Sequence, residues 1–286
     1  MTLLDLTLHP AMLADGTELS YARAGAGFPL IFVHGAMGDW RSWAPQWDVF
    51  LPHFDCVSYS RRYSHPNRNV LNTRSHNALV DARDLEGLMD VLSIDAAVLV
   101  GSSYGGFTAL AMAVQAPERV KALVSVEAPM MRFAEASEAG AQVVRRFRES
   151  TIAPAREAFE RGYDIEGVRI LTGGIVGTAP NDVPEPVMKR RLENLRAARS
   201  LSLSDDEFPL LDPQALAALP MPVLLMSGAR TAPIHAAIFA AVVEAMPRAD
   251  KRIVEGAGHS VSQQQPEAFN AMVLAFLADN GLLAPR

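Results

Sequence analysis

Apolar residues along the chain fall in short unbroken runs, separated by stretches in which they recur every three or four positions. Residues 30–33, 54–59, 96–100, 122–126, 223–226 and 251–254 read as strands. The unbroken runs among them suit strands covered on both faces of a sheet. Between them, residues 77–92, 107–116, 234–246 and 266–278 carry helical stripes, and Pro117 stops the second. Upstream, residues 3–8 alternate weakly and predict an edge strand. Asp15-Gly16 predicts a hairpin turn into a second antiparallel strand at 17–24. Trp40, Trp43 and Trp47, all the tryptophans of the chain, sit at helical spacing and predict one face packed into the core. Residues 60–74 are polar, basic and turn-rich, hence a loop. Strand–helix alternation predicts an α/β protein with a mostly parallel sheet. From residue 130 to 213 the alternation lapses. Segments 141–147, 154–163 and 186–198 look helical and no buried strand is evident. The expected organisation is therefore a core of residues 1–129 and 214–286, with a helical insertion, 130–213, forming a cap over the sheet.

Composition narrows the picture. The 286 residues, 49% hydrophobic and 20% charged, suffice for one large core with an insertion. The net charge of −6, with no extended basic run, argues against nucleic acid as a partner. A single cysteine, Cys56, excludes a disulfide framework and suits a reducing compartment. The first twelve residues lack a basic start before a long apolar run, so no signal peptide is expected. No stretch of about 18 apolar residues exists, so no membrane span is expected. A cytoplasmic protein follows as the expectation. A homodimer is compatible with the sequence and not required by it.

The chemistry gathers at strand ends, where ligands bind in open α/β sheets. The run 96–100 leads into Gly101-Ser102-Ser103-Tyr104-Gly105, a G-x-S-x-G turn between a strand and a helix. Such a turn holds its serine in a strained conformation, hydroxyl outward, with glycines where side chains would collide. Ser103 is the candidate nucleophile. The last strand is followed by Gly256-Ala257-Gly258-His259, a flexible loop that would present an imidazole, so His259 is the candidate base. A third group must hold the imidazole. The loop 228–233, the usual place for it, has no carboxylate, and Thr231 supplies no charge. Glu127, at the end of the strand after the Ser103 helix, is the candidate acid. Asp205, Asp206 and Glu207 rank below it, and Asp39 is disfavoured. The backbone N–H groups of Ala36, in the loop His34-Gly35-Ala36-Met37, and of Tyr104 are candidate oxyanion donors. His34 is expected to shape that loop rather than to act in catalysis. Met37, Met130 and Met131 are candidate substrate walls, with Tyr104 beside them.

The order and spacing of Phe32-Val33-His34-Gly35, Gly101-Ser102-Ser103-Tyr104-Gly105-Gly106 and Gly256-Ala257-Gly258-His259 resemble the α/β-hydrolase superfamily. The resemblance covers about residues 11–129 and 220–283. It implies an eight-stranded, mostly parallel sheet with a helical cap after the sixth strand, and the chain order Ser, acid, His. In that family the acid commonly follows the seventh strand. Val126-Glu127-Ala128 is instead similar to zearalenone-type lactonases, which place it after the sixth. Residues 59–64 depart from a common Asp-x-Arg-Gly turn, which leaves Arg61, Arg62 or His65 to shape the entrance. The expected protein is a cofactor-independent serine hydrolase of a small carboxylic ester or lactone, with no metal. C–C bond hydrolysis, a cofactor-free dioxygenase or lyase reaction, and a non-catalytic ligand-binding role are the alternatives.

Overall fold

A computed structural model describes residues 2–283. One eight-stranded sheet runs through the molecule: β1 (His9–Met12), β2 (Glu18–Gly25), β3 (Phe28–Val33), β4 (Phe54–Tyr59), β5 (Ala97–Ser102), β6 (Val120–Val126), β7 (Val223–Gly228) and β8 (Asp250–Val254). Their spatial order is β1-β2-β4-β3-β5-β6-β7-β8, with β1–β2 and β2–β4 antiparallel and every other pair parallel. This is the α/β-hydrolase fold. The apolar runs are unbroken because the sheet is covered twice. Ile31, Val33, Leu99 and Leu123 enter one core with helices Ala78–Val91, Tyr104–Gln115 and Pro233–Ala245. Their neighbours Leu30, Phe32, Val98, Val100 and Val124 enter the other, with helices Ala44–Phe50 and Pro266–Asp279. Successive side chains point to opposite faces, so only a continuous apolar run serves both. The three tryptophans lie in the second core, Trp43 stacked on Phe32 at 5.0 Å between ring centroids. No helix among the described residues is long and apolar enough to cross a membrane.

Two readings of the sequence need correction. Residues 3–8 do not form the edge strand. Asp5 accepts from the Thr2 backbone N–H and hydroxyl, closing a short 3-10 turn, Leu3–Asp5, that buries Leu3 beside Trp47; the edge strand is His9–Met12. Between β6 and β7 the described chain is helical, but it contains a helix the periodicity did not reveal, Asp164–Val176. The remaining segments there are Met131–Ala134, Glu138–Phe147, a π-helical stretch at Arg148–Ile152, Ala153–Glu160, a 3-10 turn at Pro180–Asp182, Glu185–Glu193, Leu195–Leu203 and Pro213–Ala217. Met131–Ala134 and Glu138–Phe147 pack into the first core, while Ala153–Glu160, Asp164–Val176, Glu185–Glu193 and Leu195–Leu203 build a small apolar cluster around Phe159, Leu171 and Met188, and Met37 from the loop after β3 inserts into it. Polar ties join the same surfaces: Asn194 Nδ2 donates to Asp39 at 2.8 Å, and His235 Nε2 meets the Ile175 carbonyl at 2.8 Å.

Candidate active site

Sheet register brings the candidate residues together. Val126 of β6 pairs with Ser102 of β5 on one side and with Met226 of β7 on the other. The next residues along the three strands, Ser103, Glu127 and Ser227, therefore stand side by side. The Ser103 N–H donates to the Val126 carbonyl at 2.7 Å and the Glu127 N–H to that of Met226 at 3.0 Å, so the alignment persists one step past the strands.

Ser103 has φ 53° and ψ −119°, a region that side chains strongly disfavour. The flanking glycines permit the turn. A Cβ on Gly101 would lie 2.3 Å from the Gly105 carbonyl oxygen, and one on Gly105 would lie 2.1 Å from that of Val33. The turn lifts the hydroxyl clear of the sheet at the start of helix Tyr104–Gln115. Glu127 also takes a positive φ, 44°, which turns its side chain across β7 toward the loop after β8.

Three separate parts of the chain thus meet. His259 Nε2 lies 3.0 Å from Ser103 Oγ, and His259 Nδ1 lies 2.6 Å from Glu127 Oε2. The carboxylate can only accept, so Nδ1 carries the proton and Nε2 presents its lone pair to the hydroxyl. Glu127 is buried and saturated with donors. Oε1 accepts from Ser227 Oγ at 2.7 Å and from the Gly228 N–H at 2.9 Å, and Oε2 also accepts from Thr231 Oγ1 at 2.9 Å. Burial opposes its ionisation, but the hydrogen bond and charge of His259 outweigh that and hold the carboxyl at about 2. Thr231 supplies no charge, as expected, yet it touches the acid directly.

The oxyanion candidates lie on either side of the elbow. Among the described residues, neither the Ala36 nor the Tyr104 backbone N–H is engaged by another group. His34 keeps its structural part. It is buried, and that burial together with the Arg61 charge pushes it down to about 3, so its ring is neutral. Its Nε2 accepts from the Arg61 N–H at 3.0 Å, which leaves Nδ1–H to donate to the Gly35 carbonyl at 2.8 Å.

Two cavities open at Ser103. A small one, of about 60 Å³, is walled by Gly35, Met37, Trp43, Thr172, Arg191 and His259. A larger one, of about 170 Å³, is walled chiefly by Met131, Phe147, Leu171, Leu201, Phe208 and Ile234, with Arg148, Arg156, Asp205 and Glu207 at its polar end. Met37 lines the small cavity and Met131 the larger one. Met130 lines neither: it packs into the first core, 2% exposed. The Tyr104 ring lines neither cavity and packs against Phe208. Asp205 and Glu207 lie at the larger cavity and Asp206 pairs with Arg132, while Asp39 caps helix Trp40–Trp43 and pairs with Arg41. His65, Arg61 and Arg62 line neither cavity. Both arginines turn inward, Arg61 to Asp81 and Arg62 to Asp84, and the His65 N–H donates to Asn194.

His235 escaped the sequence reading. Its ring stacks on that of His259, centroids 3.8 Å apart and planes at 17°. Burial and then the neighbouring His259 push it down to about 3, so it is neutral, and its Nε2–H donates to the Ile175 carbonyl. Glu127, His235 and His259 have the composition of a metal site. Their geometry does not fit one, because a ligating nitrogen needs the ion in its ring plane and two nearly parallel stacked planes share no nearby point.

Residues 30–272 match the Alpha/beta hydrolase family. The chain belongs to that family of enzymes. It is 28% identical over 286 residues to a 2-hydroxy-6-oxononadienedioate/2-hydroxy-6-oxononatrienedioate hydrolase of Burkholderia vietnamiensis (strain G4 / LMG 22486), covering 92% of each chain. It is 26% identical over 254 residues to the carboxylesterase YbfK of Bacillus subtilis (strain 168), covering 87% of this chain and 79% of the relative. Among solved structures, Est816, described as an N-acyl homoserine lactone degrading enzyme, superposes with a TM-score of 0.71 at 19% identity, over 92% of this chain and 98% of the other. That likeness is one of fold.

Proposed function

We propose that the protein is a serine hydrolase of a small carboxylic ester or lactone, and that Ser103, His259 and Glu127 carry the reaction. The observation that supports this most is the unbroken relay of 3.0 Å and 2.6 Å from hydroxyl to imidazole to buried carboxylate. In this reading Ser103 Oγ attacks the carbonyl carbon as its proton passes to His259 Nε2. Glu127 stabilises the imidazolium that forms without taking its proton. The new oxyanion enters the space between the Ala36 and Tyr104 N–H groups. Collapse expels the alcohol, which takes the proton from His259. Water then attacks the acyl carbon as its proton passes to the same nitrogen, and collapse breaks the bond to Ser103 Oγ, which takes that proton back as the acid leaves. The helical stretch between β6 and β7 acts as the cap, since it walls both cavities. Turnover of a chromogenic butyrate ester by the wild type, and its loss in Ser103→Ala with the fold intact, tests this. Retained turnover rejects it.

One observation favours a second reading, C–C bond hydrolysis. Arg191 walls the small cavity beside Ser103 and pairs with no carboxylate among the described residues. Burial and the neighbouring Arg190 push it down to about 10, and the Asp39 carboxylate offsets them only in part, so the guanidinium lacks a close counter-charge. An anionic group close to the scissile carbonyl would supply one, and the substrate named for the Burkholderia relative is a dioate. A panel containing simple esters, lactones and a 2-hydroxy-6-oxodienoate, run on wild type and Ser103→Ala, separates the two readings.

A further inference from the structure

The loop that carries Ala36 is gripped from behind by one side chain. Arg61 lies just past β4 and is 4% exposed. Its Nη2 donates to the carbonyl oxygens of Gly35 at 3.2 Å and Ala36 at 3.0 Å. Its Nη1 donates to Asp81 at 3.0 Å, and Asp81 also meets His76 Nε2 at 3.0 Å. The guanidinium carbon lies 3.8 Å from the centre of the Tyr104 ring, a cation–π contact.

The consequence is geometric. The Gly35 carbonyl and the Ala36 N–H are opposite ends of one planar trans peptide unit, so a donor that fixes the carbonyl aims the N–H the other way. That carbonyl has two donors, Arg61 Nη2 and His34 Nδ1–H. Donation to the oxygen also polarises the unit, which makes its N–H the better donor. The same guanidinium presses on Tyr104, whose N–H is the other oxyanion donor. Nothing in these contacts touches substrate space, because neither cavity is walled by Arg61.

We propose that Arg61 is the positioning residue of the oxyanion hole, locking the Gly35–Ala36 peptide and the Tyr104 turn into one preorganised pair of donors, with Asp81 as its anchor. This rests on the serine-hydrolase reading. A hole assembled in advance acts on the transition state and leaves ground-state binding alone. Lysine cannot replace it, since one ammonium does not span two carbonyls and a carboxylate in a plane.

The test compares wild type, Arg61→Met, Arg61→Lys and Asp81→Asn, using p-nitrophenyl butyrate turnover and inhibition by phenylboronic acid. The boronate forms a tetrahedral adduct with the serine and puts a negative oxygen in the hole. The proposal expects kcat to fall on the order of 10–100-fold in both Arg61 variants, with KM within about threefold and boronate affinity falling in step with kcat. Asp81→Asn should give a smaller fall of the same kind. If Arg61→Met shows no cooperative melt, Arg61→Lys, which keeps the charge beside Asp81, decides. A loss carried by KM, an unchanged kcat, or an unchanged boronate affinity overturns the assignment. A wild type that neither turns over the ester through Ser103 nor binds the boronate overturns the parent reading together with it. An active wild type with unaffected variants overturns Arg61 alone.

Discussion

Replacing Glu127 by glutamine changes one oxygen to an amino group and nearly nothing in shape. The effect turns on which oxygen is replaced. Oε1 accepts from the Gly228 backbone N–H, a donor that cannot reverse, and from the Ser227 hydroxyl, which can. Oε2 accepts from the Thr231 hydroxyl, which can also reverse, and faces His259 Nδ1. The fixed N–H at Gly228 therefore keeps the amide oxygen on its side and sends the amino group toward His259. Nδ1 must then accept, the ring proton moves to Nε2, and the nitrogen facing Ser103 Oγ can no longer take a proton. The corresponding change in a serine-protease relay lowers turnover by about 10⁴-fold. A loss of about 10³–10⁴-fold in kcat is expected here, or about 4–5 kcal/mol of transition-state stabilisation. Steady-state turnover of a chromogenic short-chain ester measures it, with a thermal melt to show that the variant is folded. A folded Glu127→Gln protein within tenfold of wild type would refute the tautomer argument.

Further outcomes follow from the same contacts. Ser103→Ala and Ser103→Gly should both lose fluorophosphonate labelling, but the glycine variant should melt higher than the alanine one. Glycine relieves the φ of 53°, a strain on the order of 1–3 kcal/mol, and equal melting points would argue against strain at the elbow. Glu127 is ionised in the native state down to about 2, against 4.5 as its reference value, so its contribution to stability is complete above 4.5 and fades as pH falls toward 2. Melting temperature followed across that window should fall less steeply in Glu127→Gln than in wild type; parallel curves would contradict this. Arg191→Met should raise KM about tenfold or more for substrates bearing a carboxylate beside the scissile carbonyl, and leave neutral esters within about twofold; an equal effect on both would remove the anion from the reading. Thr231 Oγ1 lies 2.9 Å from the very oxygen that meets His259. A carboxylate introduced by Thr231→Asp into Glu127→Ala should therefore recover at least about tenfold of the lost kcat, and no recovery would show that residue 231 cannot reach the imidazole.

The sheet and the relay were legible because each leaves a mark in the chain itself. A strand covered on both faces must be apolar at every position, and a serine elbow needs small residues at fixed offsets, so residues 96–105 disclosed both. Glu127 could be found by elimination, since the loop after β7 offers no carboxylate and strand order puts β6 beside β5. What escaped depends on neighbours remote in sequence. Helix Asp164–Val176 contains Gly167, Gly173 and Gly174, poor helix formers that leave its helical signal weak. They are there for contact: a Cβ on Gly167 would meet the Phe159 ring at 2.8 Å, and one on Gly174 would meet Thr151 at 2.2 Å. His235 carries no local signal, and its role beside His259 exists only once helix Pro233–Ala245 docks. Met130 and Met131 are indistinguishable as letters and both pack into the first core, yet only Met131 also reaches the cavity.

The two parts of the site are held by different kinds of constraint. Ser103, Glu127 and the loop before His259 are fixed by strand register and by backbone hydrogen bonds that continue past the strand ends, as from Ser103 to Val126, Glu127 to Met226 and Arg230 to Ala257. Shifting any of them by one residue would turn its side chain to the opposite face of the sheet. The cavities have no such ladder. Their walls come from side chains packed against the first core, such as Phe147 and Ile234, and from helices packed through Phe159, Leu171 and Met188 onto Met37, together with a few polar ties such as Asn194 to Asp39. Side-chain packing tolerates exchange of shape far better than a strand tolerates a change of register. Substitutions among Phe147, Leu171, Leu201 and Ile234 should therefore redistribute substrates while leaving the relay distances alone. Changes at Ser227 or Gly228, which touch no substrate wall, should slow every substrate alike.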